Sequence, residues 1–264
     1  MKVIFSRKGF DTKYGGTASP ILPDGTLLSM PIPDQNAGHP SYGELKYGGQ
    51  TYAEIQKQPK GKDESQKGCH LDPDIRTEVI SRNNGWKPAF GQHGAALVHL
   101  VNQGVKEGDL FLFYGWYRRT HQKDRILQYQ RTDKGQHVLF GYLQIGEIIR
   151  KRADVPDWLI SHPHVGFQSW EKNVIFVATD SCSFMPGMPG AGCLDFHENQ
   201  VLTKSGQHLL TRWALPDFFR TIPISCHQHP WHDDYFQANN IGQEFVFNAN
   251  DEVINWLKAI IKNE

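Results

Sequence analysis

The segment CHLDPDIR, residues 69–76, sets His70, Asp72 and Asp74 within five residues. In an extended chain alternate residues share a side, so one imidazole and two carboxylates would converge on a metal ion or on a proton in transfer. The competing reading is a turn stiffened by Pro73, with the two aspartates capping the segment that starts near Ile75. A second polar group stands near residue 6, where SRKGFD follows a short apolar run. Arg7 offers a planar fork and Lys8 a point charge for a phosphate or another anion, and Asp11 can orient one of them or bind a substrate hydroxyl. The Gly15-Gly16 pair behind them permits close backbone approach. Their alternative is a solvated strand end with Asp11 as a turn residue.

Histidines gather again in ISCHQHPWHDD, where His227, His229 and His232 precede Asp233 and Asp234. An extended chain puts His227 and His229 on one side, while Pro230 and Trp231 interrupt the path to His232. The metal candidates are His70 and Asp72, joined by His227 on the strength of the family resemblance given below, and histidines with carboxylates suit iron, manganese or zinc. The run SHPHV, with His162 and His164, reads as a polar loop ahead of the strand 174–178. In YFQANNIGQEFV, Gln243 and Glu244 either read the edge of a base or satisfy a buried hydrogen-bond network. Trp116, in GWYRR, either stacks on a nucleic acid strand that Arg118 and Arg119 neutralise, or packs in the core while the arginines reach water. The glycines of MPGMPGAG would let that loop fold over a site. Walker A, G-x-G-x-x-G and G-x-S-x-G patterns are absent.

These groups need a frame. The 264 residues contain 28 Lys+Arg and 28 Asp+Glu, so no global field advertises a polyanionic partner. Four cysteines without a C-x-x-C pair argue against a zinc ribbon and fit a reduced, cytoplasmic protein. No apolar run has the length of a membrane span or of a signal-peptide core. KVIFS, GDLFLFYGWYRR, ILQY, HVLFGYLQIGEIIR and VIFVATD read as strands. AFGQHGAALVHLVNQG reads as one helix with His93, Leu97, Leu100 and Val101 on a face, and DEVINWLKAII as a second helix docked on the core. Residues 57–67 read as an exposed loop, and the Pro/Gly-rich stretch from Arg7 to Gly49 either holds short strands or lines a site. The expectation is a single α+β domain over residues 1–264, with a mixed or mainly antiparallel sheet, packed helices and long loops. The Gly108-Asp109 turn, FLFYGW and VLFGYLQIGEI are also similar to small barrels of the PUA, ASCH and EVE kind, so the sheet is expected to be partly barrel-like.

Together, SRKGFDTKYGGTASPILPDGTLLSMPIPD, CHLDPDIR, AFGQHGAALVHL, GDLFLFYGW, HVLFGYLQIGEI and YFQANNIGQEFV resemble the nucleotide modification associated domain 3 family. The resemblance implies an α+β domain of bacteria and phages, tied to DNA base modification, with nucleotide or DNA as partner and an enzymatic role. It favours Arg7, Lys8, Asp11, His70, Asp72, Asp74, His93, His227, Gln243 and Glu244 as site residues, and gives no weight to His229 or His232. Ile241 stands where the family is expected to carry arginine, which weakens the case for an anion contact there. Two other readings stay open: a non-catalytic PUA/EVE-like reader of modified bases using Trp116, Tyr117 and the late amides, and a metal-dependent enzyme acting on a peptide or small metabolite.

Overall fold

The run LFLFYGWY is apolar at successive positions, the pattern of a strand covered on both faces. The computed structural model describes residues 1–36, 39–61, 63–124, 126–225, 230–239 and 244–262. Among these, nine strands form one sheet: β1 (Lys2–Arg7), β2 (Ser19–Ile21), β3 (Ala89–His93), β4 (Leu110–Lys123), β5 (Ile126–Tyr129), β6 (Gln136–Ile149), β7 (Asn173–Ala178), β8 (Ala191–Cys193) and β9 (Phe245–Asn248). The order is β9-β1-β4-β6-β7-β3, with β2 and β5 also paired to β4 and β8 to β6. β1 and β2 run parallel to β4, and the other ladders are antiparallel.

β4 separates two cores. Phe111, Phe113 and Tyr117 join Ile4, Phe90 and Phe176 on one face. Leu112 and Tyr114 join Phe5, Trp213 and Phe219 on the other. That second face is closed by helix α3 (Asp251–Lys262), which buries Val253, Leu257, Ile260 and Ile261 at the expected spacing. The sheet also curls. Phe90 of the far strand β3 meets Phe111 and Phe113 of β4 with ring centroids 4.9 and 5.1 Å apart. The ends approach without β3 and β9 pairing, so the sheet is partly barrel-like and no barrel closes.

Two helices differ from expectation. AFGQH is strand β3, and helix α2 (Gly94–Asn102) begins only at Gly94, where φ is +61°. The apolar spacing runs across this break, which is why the whole segment imitates one helix. Leu97 and Leu100 are buried as expected, but Val101 is 65% exposed. In the charged stretch, residues through Lys60 belong to helix α1 (Tyr52–Lys60). It is nucleated by a capping box: Glu54 N–H donates to Thr51 Oγ1, and Thr51 N–H donates back to the Glu54 carboxylate. The MPGMPGAG loop anchors Met185 in the same core as Trp213 and runs into β8, so it is tied to the sheet.

One buried group in the second core predicts a pH response. Trp213 Nε1–H donates to His137 Nδ1 at 3.0 Å, and His137 is 1% exposed. Burial, with the Arg7 charge nearby, lowers its pKa to about 3. The unfolded chain takes up this proton near pH 6.5, whereas the folded chain refuses it until about pH 3. His137 therefore withdraws stability as pH falls from 6.5 towards 3, by about 1 kcal/mol per pH unit. Thermal melts between pH 7 and 5 should show a slope to which His164 and His70 also contribute, and His137→Gln, which cannot titrate, should reduce it by about 1 kcal/mol per pH unit; an unchanged slope would refute the assignment.

Candidate metal centre

The expectation that His70, Asp72 and Asp74 face one way fails because the chain turns. Asp72 N–H donates to the His70 carbonyl at 2.8 Å, and residue 74 then pairs with Ala89 on the free edge of β3. Asp74 is turned to Arg82, which grips it with two nitrogens at 2.6 and 2.7 Å while stacking on Trp86. That pair is a structural clamp. Asp72 instead accepts the Gly91 N–H at 2.8 Å and faces His162 and His164.

His164 stands in the 3-10 turn Pro163–Gly166 and lies against the backbone of β3. A β-carbon on Gly91 would sit 2.1 Å from the His164 ring, so only glycine admits the imidazole there. Asn173, opposite His93 in β7, sets its tautomer. Asn173 Nδ2 donates to the His164 carbonyl at 2.9 Å, which turns Oδ1 to His164 Nδ1 at 2.7 Å. Nδ1 must then carry the proton. Nε2 is left with a lone pair, 3.7 Å from Asp72 Oδ2. Two acceptors facing each other repel unless a cation or a proton lies between them.

The other imidazoles are oriented in the same manner. Residues 32–33 pair with 69–70, which brings Asp34 beside His70. Asp34 Oδ2 lies 2.7 Å from His39 Nδ1 and 3.2 Å from His70 Nδ1, while Oδ1 accepts the Asn36 N–H at 3.0 Å. A carboxylate only accepts, so both rings donate from Nδ1, and His70, whose pKa burial lowers, keeps Nε2 unprotonated. His162 is reversed. Its Nδ1 accepts the His164 N–H at 3.3 Å, so the Nε2 proton points towards Asp72 Oδ1, 3.4 Å away.

One donor atom each from His70, Asp72 and His164 lie within 4.8 Å of one another. Bonds of about 2.1 Å require neighbouring donors roughly 3.0–3.4 Å apart, so a small inward movement would let this set hold an ion. A second group, Asp34, His39 and His70, is equally compact, but its short contacts are already hydrogen bonds. The protonation states suit a cation. Burial lowers the pKa of His164 to about 3 and also lowers that of His70, so both are neutral ligands near pH 7. Burial works against the Asp72 anion, yet the neighbouring His162, His164 and His70 hold its carboxyl well below the usual range. Asp34 is held to about 2: burial opposes its charge, and the Asn36 N–H and His70 outweigh that.

The remaining candidates are divided. His93 stands at the exposed end of β3, its ring 5.7 Å from His164 and 4.7 Å from Phe167; burial of its inner part and the Lys8 charge lower its pKa. Lys8 lies over the Phe90 ring at 4.4 Å and 3.6 Å from Glu244 Oε1. Arg7 does not join Lys8, because adjacent strand residues point to opposite faces, and its charge bears on Tyr114 and His137 in the second core. Asp11 is apart from the histidines in these contacts, its carboxylate accepting the N–H groups of Lys13 and Tyr14 in a turn. Trp116 packs over Gly135, where a β-carbon would meet its Nε1 at 2.2 Å. His227 and Gln243 lie outside the described residues.

The family profile described as nucleotide modification associated domain 3 matches residues 2–248. The chain belongs to the nucleotide modification associated domain 3 family. No curated protein and no solved structure matches it. This nucleotide modification associated domain thus places a histidine and carboxylate cluster at the free edge of its sheet, built from Asp34, His39 and residues 70–72 and 162–173. Asp34, His39 and Asn173 were missed in sequence, and His164 was read there only as part of a polar loop. The one signal was the pair of histidines two residues apart in SHPHV. Among the described residues, no helix of this domain is long and apolar enough to cross a membrane.

Proposed function

We propose that this chain is a metal-dependent enzyme acting on a nucleotide or on a base in DNA, with His70, Asp72 and His164 as the metal ligands. The observation that carries the reading is the His164 lone pair facing the Asp72 carboxylate at 3.7 Å, with the His164 ring proton committed to Asn173. Two histidines and one carboxylate leave coordination positions open, and iron(II), manganese(II) and zinc(II) accept such a set. When bound, the ion supplies Lewis-acid or oxygen-activating chemistry. The chain's own residues do the rest. Asp34 and Asn173 orient the two ligand rings, His162 steadies the Asp72 anion, and His93 at the rim can move a proton between solvent and substrate. Membership of the family supports nucleotides as substrate class. A reader that stacks bases on Trp116 and Tyr117 is disfavoured, because Tyr117 is fully buried.

The test is made in cells, where co-substrates are supplied. Nucleosides from the DNA and nucleotide pool of a host expressing the chain are compared by mass spectrometry with those from a host expressing His164→Ala. The expected result is a nucleoside of altered mass with the unaltered chain alone. Identical profiles would overturn the reading.

A further inference from the structure

The Glu244 carboxylate has two oxygens that are unequally served. Oε1 accepts from Ser6 Oγ at 3.0 Å and from Gln92 Nε2 at 2.5 Å, and it faces the Lys8 ammonium at 3.6 Å. Oε2 is buried and has no hydrogen-bond partner among the described residues, in a side chain only 5% exposed. An unmatched buried carboxylate oxygen is costly, and three donors crowding on its twin do not relieve it. The arrangement is rigid. Gln92 Oε1 accepts the His93 N–H at 3.0 Å, which fixes the amide so that Nε2 must face Glu244. Lys8 lies against Phe90 and, as a three-donor ammonium, keeps N–H groups beyond the one that faces Glu244.

This set stands across β3 from the metal ligands: the Gln92 side chain reaches Glu244 on one face, Gly91 and His93 meet Asp72 and His164 on the other, and the Lys8 charge still bears on His93 at the strand end. Lys8 and Glu244 together carry no net charge, so the pair does not attract phosphate. It combines an acceptor that lacks a partner among the described residues with a donor that has N–H groups to spare, which matches the edge of a heterocycle carrying an amino or imino N–H next to a ring nitrogen or carbonyl oxygen.

We propose that Glu244 Oε2 and the Lys8 ammonium form the subsite for the base of the substrate nucleotide, Oε2 accepting an N–H and Lys8 donating to the neighbouring acceptor. This rests on the nucleotide reading above and names the part of the substrate that is held here. Glu244→Gln is the informative change. If its amide nitrogen replaces Oε2, the acceptor is lost; if the amide turns over, its NH2 meets the donors from Ser6, Gln92 and Lys8.

The experiment is calorimetric titration of the full chain with dAMP, dCMP, dGMP and the base-free 2-deoxyribose 5-phosphate, with bound metal assayed in the same samples. At least one nucleotide should bind tenfold or more tightly than the base-free sugar phosphate. Glu244→Gln should cut that preference about tenfold, the worth of one hydrogen bond to a charged group, without altering metal content. A purely structural role for Glu244 would lower the melting temperature and leave the preference intact. Lys8→Met provides a second variant with the same expected loss should Glu244→Gln fail to fold. Equal binding of nucleotides and sugar phosphate, no nucleotide binding, or a preference that survives the substitutions overturns the subsite. Base preference without bound metal would instead refute the metal assignment alone.

Discussion

Gly91→Ala should cost the chain about 2 kcal/mol of stability and its metal affinity together. The added methyl would stand 2.1–2.6 Å from three atoms of the His164 ring, closer than any packed carbon tolerates. The strand cannot yield easily, because Gly91 pairs with Ile175 on one side and donates to Asp72 on the other. The imidazole must swing away, which breaks its bond to Asn173 and removes Nε2 from Asp72. Gly166→Ala is the matched control, since its methyl would only touch His39 Nε2 at an ordinary 3.8 Å. Thermal melts and metal titration of the two variants should differ sharply. Equal behaviour would mean that His164 is not held against β3 as described.

Asp72→Asn should separate chemistry from folding. The amide oxygen can still accept the Gly91 N–H, so the edge of β3 keeps its partner. What disappears is the anion between two histidines. Loss of an outer partner of a metal ligand typically weakens binding 10–100-fold, so loss of the carboxylate ligand itself should weaken it by about 100-fold or more. Circular dichroism should be unchanged while the metal affinity falls. Undiminished affinity would remove Asp72 from the ligand set.

Strands β4 and β6 were legible because their apolar runs are long and face two cores, and α3 because four buried residues keep helical spacing, whereas β3 passed for helix and the short β8 and β9 carried no strand reading. Helix α1 was hidden by the polarity of its last turns, although the Thr51-x-x-Glu54 box marks its start. The candidate site was half legible. His70 and Asp72 stand out by type and spacing and His93 through the family resemblance, but the partners Asp34, His39, His164 and Asn173 lie up to about a hundred residues away along the chain, and the fold brings them together. Arg7 and Lys8 illustrate the opposite failure. They are neighbours in sequence, and a strand sends neighbours to opposite faces. The same limit applies to Asp74, which the backbone turn delivers to Arg82.

The most direct measurement is metal titration of the untagged, chelator-treated chain with iron(II), manganese(II) and zinc(II), alongside His70→Ala and His164→Ala. The account predicts one ion per chain for at least one of these metals, and loss of that binding in both variants. No binding by any of the three, or a stoichiometric ion retained in both variants, would contradict it.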